Sequence, residues 1–149
     1  MSALPDVDGW IIDFRTAREI LDSTSNYERS HLIGLCKAKL VWLSHTEQNL
    51  FKSHADAKKH FIGDQNLIVE PDDDVVTAAI SLDGKKLPKG RKLLVSDEAS
   101  LMIAAAASAK GYGVISDHQS TTFATVHTIC GVCGVPSLSR HEYFAAEME

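Results

Sequence analysis

Short apolar runs alternate with amphipathic stretches along the whole of this chain. Gly9-Trp10-Ile11-Ile12-Asp13 reads as a buried strand ending in an acid, and Leu40-Val41-Trp42-Leu43 as a second, ending at Ser44. Val114-Ile115 and Val135-Pro136-Ser137-Leu138 are two more runs of strand character. Between them the apolar positions recur at helical spacing. Ala17, Ile20 and Leu21 share one face, with a break near Ser23 to Asn26. Asn26 is a candidate cap for a second helix with Leu32, Ile33, Leu35 and Cys36 on its apolar side. A polar helix is expected from Ser44 or Thr46 to about Phe61, with Leu50, Phe51, Ala55 and Ala57 as sparse apolar contacts.

Pro71-Asp72-Asp73-Asp74 opens the next helix, its acids suited to the positive end of the helix dipole. Val75, Val76, Ala79 and Ile80 are its expected buried face. A lysine-rich loop, Gly84 to Lys92, leads to Ser96-Asp97-Glu98 and the uncharged, alanine-rich segment Ala99 to Ala109. Phe123, Val126, Ile129 and Cys130 mark a helix over Thr121 to Val132, and Arg140 to Ala146 forms a final turn or two. Strands alternating with helices imply a central parallel sheet covered on both faces, a three-layer α/β/α fold. At 149 residues the chain is sized for a single domain spanning 1–149.

Composition changes this picture little. The chain is 44% hydrophobic and 23% charged, which is ordinary for a globular domain. Its formal net charge of −5 gives no global attraction to nucleic acid, so polyanion binding would need a local basic patch. The first ten residues carry no basic n-region or apolar core, and no apolar run approaches bilayer length. Cys36, Cys130 and Cys133 make an odd count, which suits reduced thiols. A cytoplasmic protein without a membrane partner is the expectation.

The chemistry lies in where the acids fall. Asp13 ends the first strand, Glu47 lies just beyond the second, Asp97 starts the alanine-rich helix, and Asp117 follows the strand after it. In a right-handed parallel sheet all four positions reach one edge. Hard oxygen ligands of this kind suit Mg²⁺ or Mn²⁺, and such sites assist attack of water on a phosphodiester. Taken singly, each acid is also an ordinary helix cap or turn residue. Lys85, Lys86, Lys89, Arg91 and Lys92 crowd the loop before Asp97, either as a phosphate-binding rim or as a solvated charge run. Arg15 would clamp a phosphate or pair with a neighbouring carboxylate. Cys130-Gly131-Val132-Cys133, with His127 and His141 nearby, is a CxxC, but zinc needs four converging ligands and a thioredoxin-type motif opens a helix where this one closes it. Buried apolar cysteines are the simpler reading.

These residues bring a family into view. Asp97, the alanine-rich helix and Gly111-Tyr-Gly-Val-Ile-Ser-Asp117 resemble the acid-helix-glycine-strand-(Ser/Thr)-x-Asp pattern of the PIN-domain nucleases. Trp10-Ile-Ile-Asp13 is similar to that family's opening strand and first acid, and Ile129-Cys130 through Gly134-Val135-Pro136 to its closing helix and strand. The family includes the toxins of bacterial toxin–antitoxin pairs. The resemblance implies a metal-dependent endoribonuclease, with Asp13, Glu47, Asp97 and Asp117 as carboxylate ligands of Mg²⁺ or Mn²⁺ and Ser116 in support. Arg15, Lys89, Arg91 and Lys92 would seat the RNA, and a protein antitoxin and a homodimer are the implied partners. Phe14-Arg15 follow Asp13 where the family usually has a small or polar residue, and Glu98 adds an acid beside Asp97. These departures motivate the alternative of a PIN-like domain that binds RNA or a partner protein without cutting.

Overall fold

The computed structural model describes residues 4–82, 98–117 and 125–148. Five strands, β1 (Trp10–Ile12), β2 (Val41–Ser44), β3 (Ile68–Val69), β4 (Gly113–Ile115) and β5 (Ser137–Leu138), form one sheet in the order β3-β2-β1-β4-β5. Every pairing is parallel, with Trp10 opposite both Val41 and Gly113. Parallel neighbours require crossovers, and helices supply them: α1 (Phe14–Leu21) and α2 (Asn26–Lys37) join β1 to β2. After β2 come α3 (Gln48–Lys52) and α4 (Ala55–Lys58); after β3 come α5 (Asp73–Leu82) and α6 (Glu98–Lys110). The last crossover is α7 (Val126–Cys133), and α8 (Arg140–Glu147) follows β5.

Alternation along the strands builds two cores, one on each face. Trp10, Ile12, Val41 and Leu43 pack with residues of α1, α2, α3, α4 and α8. Ile11 and Val114 face the opposite layer, made of α5, α6 and α7. The result is the expected three-layer α/β/α arrangement. The alanines of α6 are its contact surface: Ala104 to Ala107 are all buried, which lets the helix backbone lie close to the sheet. Close approach also explains Gly113, where a Cβ would lie 2.5 Å from the Trp10 ring on the adjacent strand. Gly134, at φ 73°, supplies the left-handed residue that ends α7.

Several local expectations are corrected. Ser25, not Asn26, caps α2, because Ser25 is extended and its side chain accepts the Glu28 N–H. The polar helix of 44–61 is broken into a 3₁₀ turn (His45–Glu47), α3, α4 and a π-helical turn (Lys59–Gly63). His54 makes the break: it is extended, and its Nδ1 accepts the Ala57 N–H to start a new helix. Strand β3 was not expected at all, being two residues long. The buried side of α5 is Val75 and Leu82 with half-buried Ala78 and Ala79, whereas Val76 is 42% and Ile80 69% exposed. Packing against the small side chains of α6 turns the alanines inward and rotates the larger residues out. Helix α7 begins at Val126, since Thr125 is extended and accepts the Thr128 N–H; residues 121–124 of the expected helix, Phe123 among them, lie outside the described residues. No helix among the described residues is long and apolar enough to cross a membrane.

Candidate functional site

The strand order reverses at β1: the chain moves outward through β2 to β3, then returns to place β4 on the other side of β1. A crevice forms outside the carboxyl ends of strands at such a switch point. Asp13 follows β1 there, Ser116 and Asp117 follow β4, Ser44 ends β2 and Glu47 lies just beyond it. Five polar residues are buried among those described, and Asp13, Thr16, Ser44 and Ser116 belong to this edge. The fifth, Ser100, lies in the first turn of α6.

Buried polar groups are stable only when hydrogen-bonded, and these are interlocked. Asp13 is extended and caps α1, its Oδ1 accepting the Thr16 N–H at 3.2 Å. Its Oδ2 accepts the Ser116 hydroxyl at 2.9 Å, which ties β1 to β4. Thr16 Oγ1 accepts the Asp117 N–H at 2.9 Å. His127 Nε2 lies 2.7 Å from the Ser116 carbonyl, which can only accept, so this nitrogen carries the proton. Its Nδ1 then meets the Ser137 hydroxyl at 2.9 Å and links the end of β4 to β5.

Glu47 reaches the same place from β2. Its Oε1 accepts the Phe14 N–H at 3.1 Å, the first amide of α1. Asp13 and Glu47 therefore share one helix N-terminus, where backbone N–H groups and the dipole favour negative charge. Two carboxylates exceed what that end compensates. Burial first, and the Asp13 charge second, push the Glu47 carboxyl up to about 7 against the opposing pull of the Phe14 N–H. Among the described residues no cationic side chain pairs with Glu47.

The other expected residues fare differently. Asp117 is half-buried, and its Oδ1 accepts the Arg140 N–H at 2.7 Å, which commits that oxygen to the start of α8. Arg15 is 62% exposed and pairs with Glu19 one turn along α1 at 3.5 Å, the structural of its two expected roles. Asp97, Lys89, Arg91 and Lys92 lie outside the described residues, Asp97 being next in sequence to Glu98, the first residue of α6. Cys130 is in the core with its thiol pushed up to about 12 by burial, which leaves it inert.

Thr16, His127 and Arg140 are site residues that the sequence did not disclose. Each acts through a partner on a distant element. The donor set at the edge is all hard oxygen, and among the described residues no Lys or Arg pairs with Glu47; both features suit a divalent cation. Mg²⁺ commonly takes only one or two carboxylates, with water and substrate phosphate completing its shell. No group of three or more metal-ligating side chains assembles among the described residues. No protein-family model matches the chain, and no curated protein matches its sequence.

Proposed function

We propose that this chain is a Mg²⁺- or Mn²⁺-dependent endoribonuclease of PIN-like type, hydrolysing RNA phosphodiesters at the carboxyl edge of its sheet. The observation that carries this reading is the convergence of Asp13 and Glu47 on the N-terminus of α1, at the switch point of a parallel sheet. Asp13 and Glu47 would hold the cation, with Asp97 and Asp117 as the further acids the resemblance supplies. A bound divalent cation lowers the pKa of water and neutralises charge that develops on phosphate. The chain's own residues fix the geometry. The Ser116 hydroxyl and the Thr16 amide orient the Asp13 carboxylate, and the Phe14 amide orients Glu47. In the reaction the water oxygen bonds to phosphorus, one P–O ester bond breaks, and the water proton ends on the departing alkoxide. By the same resemblance, a homodimer and a protein antitoxin are the proposed partners.

Cleavage of RNA in Mn²⁺ by wild type, Asp13→Asn and Asp97→Asn tests the proposal. Loss of cleavage in both variants, with circular dichroism melts retained, is expected. Wild-type rates in both would end it. The commitment of Asp117 to α8 favours the second reading, a domain that binds RNA or a partner without cutting. Calorimetric titration with Mn²⁺ separates the two, because that reading expects no heat of metal binding.

A further inference from the structure

A cleft of about 480 Å³ opens beside Asp117, between α2 and α8. Its walls carry Glu28 from α2 and Arg140 and His141 from the first turn of α8, and Phe144 and Met148 give it an apolar side. Asp117 is at once a wall of this cleft and a residue of the carboxylate edge, so the two are continuous.

Arg140 is placed for a task that its sequence position did not suggest. Its Nε donates to Glu28 Oε1 at 2.5 Å, and its backbone N–H holds Asp117. The side chain is only 24% exposed. The Glu28 pair occupies one edge of the guanidinium and fixes its plane. Among the described residues no acceptor takes the N–H groups of its two terminal nitrogens, the fork that matches a phosphate. Glu28 is matched by Arg140, and Asp117 by the positive end of α8. The cleft thus combines one oriented phosphate donor with an apolar wall, in a volume within the range of small-ligand pockets.

We infer that this cleft seats the nucleotide adjoining the phosphodiester at the carboxylate edge, with Arg140 as its phosphate contact and Glu28 as the residue that positions Arg140. The inference rests on the nuclease reading above, and among the described residues it adds Arg140 as a phosphate contact beside Arg15, whose guanidinium pairs with Glu19. Binding of a short fluorescent RNA is measured by anisotropy in Ca²⁺ across a salt series, and Mn²⁺ binding by calorimetry on the same proteins. Arg140→Gln is expected to weaken RNA binding about tenfold and to reduce the salt slope by about one, since one phosphate contact is lost. Its Mn²⁺ isotherm is expected to match wild type, and Arg140→Lys to regain part of the affinity. Ala145→Trp, which fills the cleft from an exposed wall position, is expected to weaken RNA binding without moving Arg140.

Wild-type RNA affinity in both Arg140→Gln and Ala145→Trp, while wild type binds Mn²⁺ and RNA, overturns the cleft and leaves the nuclease reading standing. Wild type that binds neither Mn²⁺ nor RNA removes both. If Arg140→Gln does not fold, Ala145→Trp decides alone: reduced affinity supports the cleft and unchanged affinity overturns it.

Discussion

Replacing Glu47 by Gln should make the protein more stable at alkaline pH and leave it unchanged at acid pH. The carboxyl rises from its ordinary 4.5 to about 7 in the fold. Each tenfold change in ionisation is about 1.4 kcal/mol, so holding Glu47 ionised in the native state costs about 3 kcal/mol. The folded carboxyl keeps its proton up to about 7, while the unfolded one releases it near 4.5. The native state therefore binds the extra proton in that window, and stability falls as pH rises through it. Below about 4.5 the contribution is complete; above about 7 it is gone. Gln carries no charge, and its amide oxygen accepts the Phe14 N–H as Glu47 does.

The assay is urea unfolding of wild type and Glu47→Gln at about pH 4.5 and about pH 8. Equal stability is expected at the lower pH and a gain of about 2–3 kcal/mol for the variant at the higher one. Comparing the two proteins at each pH cancels the titration of every other carboxylate. A gain that is the same at both pH values, or a loss at the higher, refutes the reasoning, because neither follows from a charge held against its neighbours. Saturating Mn²⁺ should then favour the wild type, since a ligand that binds only the folded protein stabilises it by mass action and Gln offers that ligand less.

Other positions give sharper local tests. Gly113→Ala places a methyl 2.5 Å from the Trp10 ring and should cost about 1–3 kcal/mol, read as a lower melting temperature with altered near-ultraviolet dichroism. Val75→Ala should cost about 2 kcal/mol from the core, whereas exposed Ile80→Ala should change stability by about 0.5 kcal/mol or less; equal losses would restore the helix face expected from periodicity. Thr16→Val leaves the Asp117 N–H without its acceptor and should cost about 1–3 kcal/mol by chemical denaturation.

Four of the five strands were legible because they are short apolar runs, and because helical spacing fills the gaps between them; β3, two residues long, was not. Asp13 was legible for the same reason, as the polar residue that stops an apolar run. Besides β3, the Ser25 cap and the break at His54, two kinds of feature escaped. The orientation of α5 did, because Val75, Val76, Ala78, Ala79 and Ile80 satisfy more than one helical stripe, and the alanines of α6 choose between them. Partnerships across the sheet did as well. Thr16 and Asp117 meet across 101 positions of sequence, and Arg140 and Glu28 across 112. No local pattern encodes such pairs; they follow only from which strands become neighbours. The Asp97 expectation and the lysine-rich loop fall outside the described residues.

The capping explanation of the acids can be weighed residue by residue. It is sufficient for the Asp13 oxygen that accepts the Thr16 N–H, since an extended aspartate bonded to the third amide of a helix is an ordinary N-cap. It is sufficient for one oxygen of Asp117, which begins α8. For Glu47 it fails on magnitude. The Phe14 N–H opposes the upward shift, yet the carboxyl still rises to about 7, so the bond returns less than burial and the Asp13 charge take away. A glutamine would accept the same N–H without that cost. An acid here carries a net penalty of about 3 kcal/mol at alkaline pH, and a positive charge beside Asp13 and Glu47 would reverse its sign. That imbalance, more than the number of acids at the edge, is what supports the proposed divalent cation.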